Sequence, residues 1–208
     1  MTNVIKLPIN DNILRLLAFS PVTLITTVGK DGSTNAAPHS RATIADYDPP
    51  QIIISVNTNH DTYRNIIETG EFTLNISGTN MLRQIWIAQK HFPYGVSELE
   101  KTELTGFPAE KVRPPRIKEC SVYIECNVLW TKITGSSCLV LGSVEAVSAK
   151  EEIGKLGAKE LAVVLNRPIF LSYQKREDAK NWMFAQIGKI HILTERNGKI
   201  EISSEAIK

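Results

Sequence analysis

Hydrophobic and polar positions change period several times along the 208-residue chain. Ile9, Ile13, Leu16 and Leu17 recur at helical spacing. With Asn10 or Asp11 as a cap, they predict a short amphipathic helix that ends before Pro21. From Pro21 to Val28 the chain is β-branched and apolar, Gly29-Lys30-Asp31-Gly32 is a turn, and Ser33 to Ala37 returns, which predicts a hairpin. Ile52, Ile53 and Ile54 stand in a row within Gln51 to Asn57, a run that suits a central strand buried on both faces. Asp61 to Thr69 reads as a helix capped by Asp61 and stopped by Gly70. Glu71 to Ser77 alternates Phe72, Leu74 and Ile76 with Thr73, Asn75 and Ser77, the pattern of a half-buried strand.

Further on, Met81, Leu82, Ile85 and Trp86 share one side of a helix expected over Asn80 to Gln89. His91 to Pro115 contains four prolines and no sustained period. Irregular segments of that length in compact domains are often functional. Two long strands follow. Val122, Ile124, Cys126, Val128 and Trp130 share a face of the first, Gly135-Ser136 turns the chain, and Cys138 to Ser148 forms the second. Glu151 to Leu165 reads as a helix weakened by Gly154 and Gly157, at about 1 kcal/mol each. A last hairpin pairs Lys189 to Glu195 with Lys199 to Ser203 across Asn197-Gly198. Short antiparallel strands with few helices predict one domain over residues 1–208. It is mainly β with helical additions, a closed or nearly closed barrel rather than a doubly wound sheet.

Composition narrows the function. A net charge of +2 without a Lys/Arg block argues against nucleic acid as a partner. Three cysteines, Cys120, Cys126 and Cys138, form no C-x-x-C pair. Their odd number, without a secretory leader in the first ten residues, points to a reducing, cytoplasmic setting. No apolar run approaches the roughly 20 residues of a membrane span.

Two segments carry candidate chemistry. Asn35-Ala36-Ala37-Pro38-His39-Ser40 ends a strand with small and polar residues. The alanines let a flat ring approach the backbone, Asn35 and Ser40 supply hydrogen bonds, His39 offers a donor or a stacking edge, and Pro38 fixes the strand end. His60-Asp61-Thr62-Tyr63-Arg64 opens a helix, whose unpaired N–H groups suit a phosphate, with the Thr62 hydroxyl and the Arg64 fork as further donors. Each segment alone reads better as ordinary structure, an edge strand and a capped helix; together they suggest a pocket for a flat ligand with an anionic tail. His39, His60, His91 and His191 show no metal spacing, and no zinc cluster, P-loop, dinucleotide fingerprint or nucleophile elbow is present. Cys126 reads as a packed thiol, so neither a catalytic side chain nor a metal site is expected. That absence suits a flavin protein, because the bound ring performs the hydride chemistry itself.

These segments, in order, resemble the flavin reductase-like family, the FMN-binding split β-barrels that include flavoredoxin and ferric or flavin reductases. The resemblance is carried by Pro21 to Thr27, Asn35 to Ser40, Asp48-Pro49-Pro50, Asp61 to Ile66, Glu68 to Phe72, Asn75, Tyr94 to Glu100, Pro114 to Ile117 and Leu141 to Val144. It implies a homodimer with FMN at or near the subunit interface, reduced by NADH or NADPH, with a small-molecule electron acceptor. Asn35, Ala36, Ala37, Pro38, His39 and Ser40 are then expected along the ring and ribityl chain. Ser55, Asn57, Thr62 and Arg64 are expected near the phosphate, and the loop with Lys90 and His91 is expected to reach the ring or phosphate. Two departures stand out. Arg41-Ala42 follows Ser40 where relatives often have an aromatic residue. Tyr173-Gln174-Lys175-Arg176 follows Arg167-Pro168-Ile169-Phe170 where relatives often have glycines. Three readings follow: an FMN-dependent reductase that passes electrons from NAD(P)H to flavin, ferric or other small acceptors; a non-catalytic FMN-binding electron carrier; and a barrel that holds heme or another flat ligand instead.

Overall fold

The structure is a computed structural model that describes residues 20–90, 92–93, 96–175, 180–185, 188–196 and 199–206. The helix expected over Ile9 to Leu17 and the Asn197-Gly198 turn lie outside the described residues. The strands are β1 (Ser20–Pro21), β2 (Thr23–Val28), β3 (Thr34–His39), β4 (Ala42–Tyr47), β5 (Pro50–Asn57), β6 (Glu71–Ile76), β7 (Gly106–Phe107), β8 (Arg116–Ile117), β9 (Val122–Thr134), β10 (Ser137–Ala149), β11 (Ile169–Lys175), β12 (Lys180–Ala185), β13 (Lys189–Arg196) and β14 (Lys199–Ala206). The helices are α1 (Asp61–Thr69), α2 (Leu82–Ala88), α3 (Glu98–Lys101), α4 (Glu151–Gly154) and α5 (Ala158–Leu165). One antiparallel sheet of seven strands, in the order β3-β2-β6-β9-β10-β5-β4, forms the body, with β3 and β4 as its edges. Smaller sheets pair β1 with β11 and β12, β7 with β8, and β13 with β14.

Two apolar clusters lie on opposite sides of β2. Leu24 joins Ala36, Met81, Ile85, Leu99, Ile117 and Tyr123 on one side, and Ile25 joins Ile54, Val56, Ile66, Phe72, Cys126 and Val140 on the other. The strand buried on both faces is therefore β2, not β5: Ile52, Ile54 and Val56 are buried, whereas Ile53 is only half-buried. Burial of one such aliphatic side chain contributes about 1.5–3 kcal/mol. The half-exposed strand expected at Glu71 to Ser77 is also corrected, since Thr73, Asn75 and Ser77 are as buried as their apolar neighbours. This polar face clasps the irregular segment after α3. Thr73 Oγ1 donates to the Pro114 carbonyl at 2.9 Å, Thr26 Oγ1 to that of Pro115 at 2.6 Å, and Asn75 Oδ1 accepts the Ile117 N–H at 2.8 Å. The fully buried Glu125 carboxylate accepts the N–H groups of Glu110 and Lys111. Unpaired backbone groups in a buried irregular segment demand such partners.

Around this body the helices differ from the sequence expectation in detail. The N-cap of α1 is His60, with no side-chain cap, and Asp61 occupies the first turn instead. Gly70 ends the helix at φ 73°, a conformation that costs glycine nothing. The single helix expected over Glu151 to Leu165 breaks into α4 and α5 at residues 155–157, beside the two glycines. Strand β4 follows the Ser40 segment where no strand was expected, paired to β5. All three cysteines are buried; burial pushes the Cys126 thiol up to about 12 and the Cys120 thiol higher still. Among the described residues no helix is long and apolar enough to cross a membrane.

Candidate functional site

A cavity of about 360 Å³ opens where the end of β3, the start of α1 and the end of α2 meet. Pockets for small molecules run from about 300 to 1,000 Å³. Asn35, Ala37, Pro38 and His39 line it from β3; His60, Asp61 and Thr62 from the start of α1; Gln89, Lys90 and Phe92 from the end of α2; and Glu98 from α3. The two candidate segments therefore converge. Asn35 Nδ2 donates to Thr62 Oγ1 at 3.3 Å, which ties the strand end to the helix start. The first turn of α1 contributes the partial positive charge of an uncapped helix end to the same wall.

The wall has unsatisfied polar atoms. Asn35 Oδ1 and His39 Nε2 are buried and have no partner among the described residues. Leaving such an atom unpaired costs about 1–3 kcal/mol. His39 is held neutral, its pKa lowered to about 3 by burial and then by the nearby His60 and Arg41. Glu98 is moved the other way. The residue is 7% exposed, Oε2 accepts the Ala36 N–H at 3.2 Å, and burial, with Asp61 adding repulsion, raises its pKa to about 7. Small side chains at Ala37 and Pro38, an acceptor at Asn35 and an electropositive helix end fit a flat polar ligand with an anionic tail.

The remaining candidates fall elsewhere. Ala36 is fully buried in the apolar cluster with Leu24, and only its backbone reaches the site, through Glu98. Ser40 and Ser55 line a second, shallower hollow of about 280 Å³ with Arg41, Ile53 and Leu139. Asn57 shapes the turn into α1, its Oδ1 accepting the Asn59 N–H at 2.9 Å. Arg64 lies outside the cavity lining, with its Nε 3.4 Å from Glu68 Oε1. His91 lies outside the described residues. Glu98 was not among the candidates read from the sequence. The signal available was a glutamate beside Leu99 and two positions after Val96, in a segment otherwise rich in turns.

The family model described as flavin reductase like domain matches residues 17–176. A protein of Aquifex aeolicus, described only as uncharacterized, is 36% identical over 121 residues. That match covers 56% of this chain and 62% of the relative, so the chain spans less than two thirds of that relative's length. Among solved structures, nitrilotriacetate monooxygenase component B from Bacillus cereus superposes with a TM-score of 0.77 at 26% identity, covering 90% of this chain and 98% of that one. Flavoredoxin of Desulfovibrio vulgaris superposes with a TM-score of 0.69 at 23% identity, covering 87% and 93%. The fold, the matched span and the convergence of the two segments agree, and the chain belongs to the flavin reductase-like family.

Proposed function

We propose that the protein is an FMN-dependent oxidoreductase that takes electrons from NADH or NADPH and passes them to flavin, ferric or other small-molecule acceptors. The observation that carries this reading is the junction of the β3 end with the α1 N-terminus in one cavity, tied by Asn35 and Thr62. In it the start of α1, with Thr62 and the nearby Lys90, receives the phosphate. Ala37 and Pro38 leave room for the ring, and Asn35 Oδ1 accepts a hydrogen bond from its edge. Bound FMN supplies the hydride-accepting chemistry, so the chain needs no nucleophile or acid–base triad of its own. The unpaired polar atoms then gain partners that the described residues do not give them.

A homodimer belongs to the same proposal. Ile133 stands opposite Cys138 and Ile44 opposite Ile52, and residues opposite each other in a ladder share a face. Cys138 and Ile52 are buried, yet Ile133 is 62% and Ile44 53% exposed. Among the described residues the core-facing side of the sheet thus runs beyond its cover, and a second copy is the proposed cover.

The likeness to flavoredoxin favours one alternative, an FMN-binding electron carrier without its own nicotinamide site. Anaerobic addition of NADH or NADPH to the FMN-loaded protein separates the two. Rapid bleaching of the flavin absorbance is the expected result, inertness would identify the carrier, and a protein that acquires no yellow colour with FMN would overturn both.

A further inference from the structure

Glu98 is an unexpected residue for the wall of a cavity built to receive an anion. It opens α3, which packs against β3 and α2, and only 7% of it is exposed. Oε2 is held by the Ala36 N–H, which leaves Oε1 to carry a proton. Among the described residues, the charged and titratable groups around it offer no compensation. From β3 comes His39, buried and neutral. On α2, Arg83 is engaged with Glu103 at 3.3 Å, and Lys90 follows the helix at the exposed cavity mouth. Across the cavity stand Asp61 and His60; on α3 itself, Glu100 and Lys101 are exposed. Among the described residues no cation lies within ion-pairing distance of the Glu98 carboxylate.

We propose that Glu98 is the proton-exchanging group of this cavity, its carboxylate taking up a proton as an anionic flavin nucleotide enters and returning it when the ligand leaves. This rests on the flavin reading above. One proton moves from the buffer to a Glu98 oxygen, one O–H bond forms, and no bond or electron of the ligand changes. The cause is electrostatic. An anion at the start of α1 adds negative charge beside Asp61, which already disfavours the charged form of Glu98, and entry of the ligand also displaces water. Because burial raises the free carboxyl's pKa to about 7, part of its population is ionised at neutral pH and can accept a proton. The neutral acid spares the loaded site a second negative charge, so affinity for FMN strengthens as the pH falls through neutrality.

Calorimetric titration of FMN into wild type and Glu98→Gln, at neutral pH in buffers of different ionisation heat, counts the protons. The phosphate's own titration is common to both proteins. Wild type is expected to take up a fraction of a proton more than the variant, the difference shrinking at about pH 5 and about pH 9. Equal uptake sinks the proposal and leaves the flavin reading intact, whereas absence of FMN binding to wild type sinks both. Should Glu98→Gln not fold, carbon NMR of glutamate-labelled wild type decides. One carboxyl titrating near neutrality must move to its protonated position when FMN is added, and a carboxyl that stays put refutes the assignment.

Discussion

His39 and Glu98 face one cavity with pKa values displaced in opposite directions, and the signs have a thermodynamic consequence. Folded His39 holds fewer protons than the unfolded chain between about 3 and 6.5, so its contribution to stability is lost as the pH falls through that window. Folded Glu98 holds more protons than the unfolded chain between 4.5 and about 7, so its contribution is present at acid pH and lost as the pH rises to about 7. The two oppose each other over their shared range. Glu98→Gln is expected to gain stability relative to wild type above pH 7 and to lose that advantage on acidification, a swing of about 3 kcal/mol. Urea midpoints measured against pH check this, and parallel curves for variant and wild type would show that Glu98 titrates normally. The sequence revealed His39 through its neighbours, Asn35 to Pro38, but not Glu98. A glutamate in a turn-rich segment reads as solvated, and only the fold turns it toward Ala36.

Within elements, the hydrophobic pattern located the strands better than it located water. The polar half of β6 alternates like a solvated face, yet it is buried under residues 108–117, whose backbone needs its hydroxyls and amide. Alternation records that two faces differ, not which of them meets solvent. Strands β4 and β11 lacked legible boundaries, the first because Arg41-Ala42 interrupts any period. In β10 the glycine at position 142 is required by contact. A Cβ there would lie 2.7 Å from Phe72 Cζ and 3.2 Å from Cys126 Cβ, beside a register shift in the β9 pairing. Gly142→Ala therefore has to displace a fully buried ring and is expected to cost about 2 kcal/mol, lowering the melting temperature by roughly 4–8 °C. An unchanged melting curve would mean that the ring has room to retreat.

For the molecule as a whole, Ile44 and Ile133 are among the large apolar side chains that the described residues leave exposed, and each stands opposite a buried partner. If a second copy covers Ile133, Ile133→Asp must either bury an unpaired charge or open the interface, and a cost of several kcal/mol shifts the equilibrium by orders of magnitude. Sedimentation is expected to give a dimer for wild type and a monomer for the variant; a wild-type monomer would remove the dimer from the proposal. The mainly β organisation was legible because hairpins and strand periods are local signals. The junction of β3 with α1 was suggested only by residue chemistry, since residues 35 and 62 are brought together by the intervening strands. The chain's three thiols have a practical value. Buried, with Cys120 and Cys126 held firmly in the unreactive protonated form, they leave the surface without a competing nucleophilic sulfur. An Asn59→Cys substitution at the cavity rim would give a maleimide dye one fast-reacting address, from which its fluorescence could follow ligand entry in a protein that keeps every native cysteine.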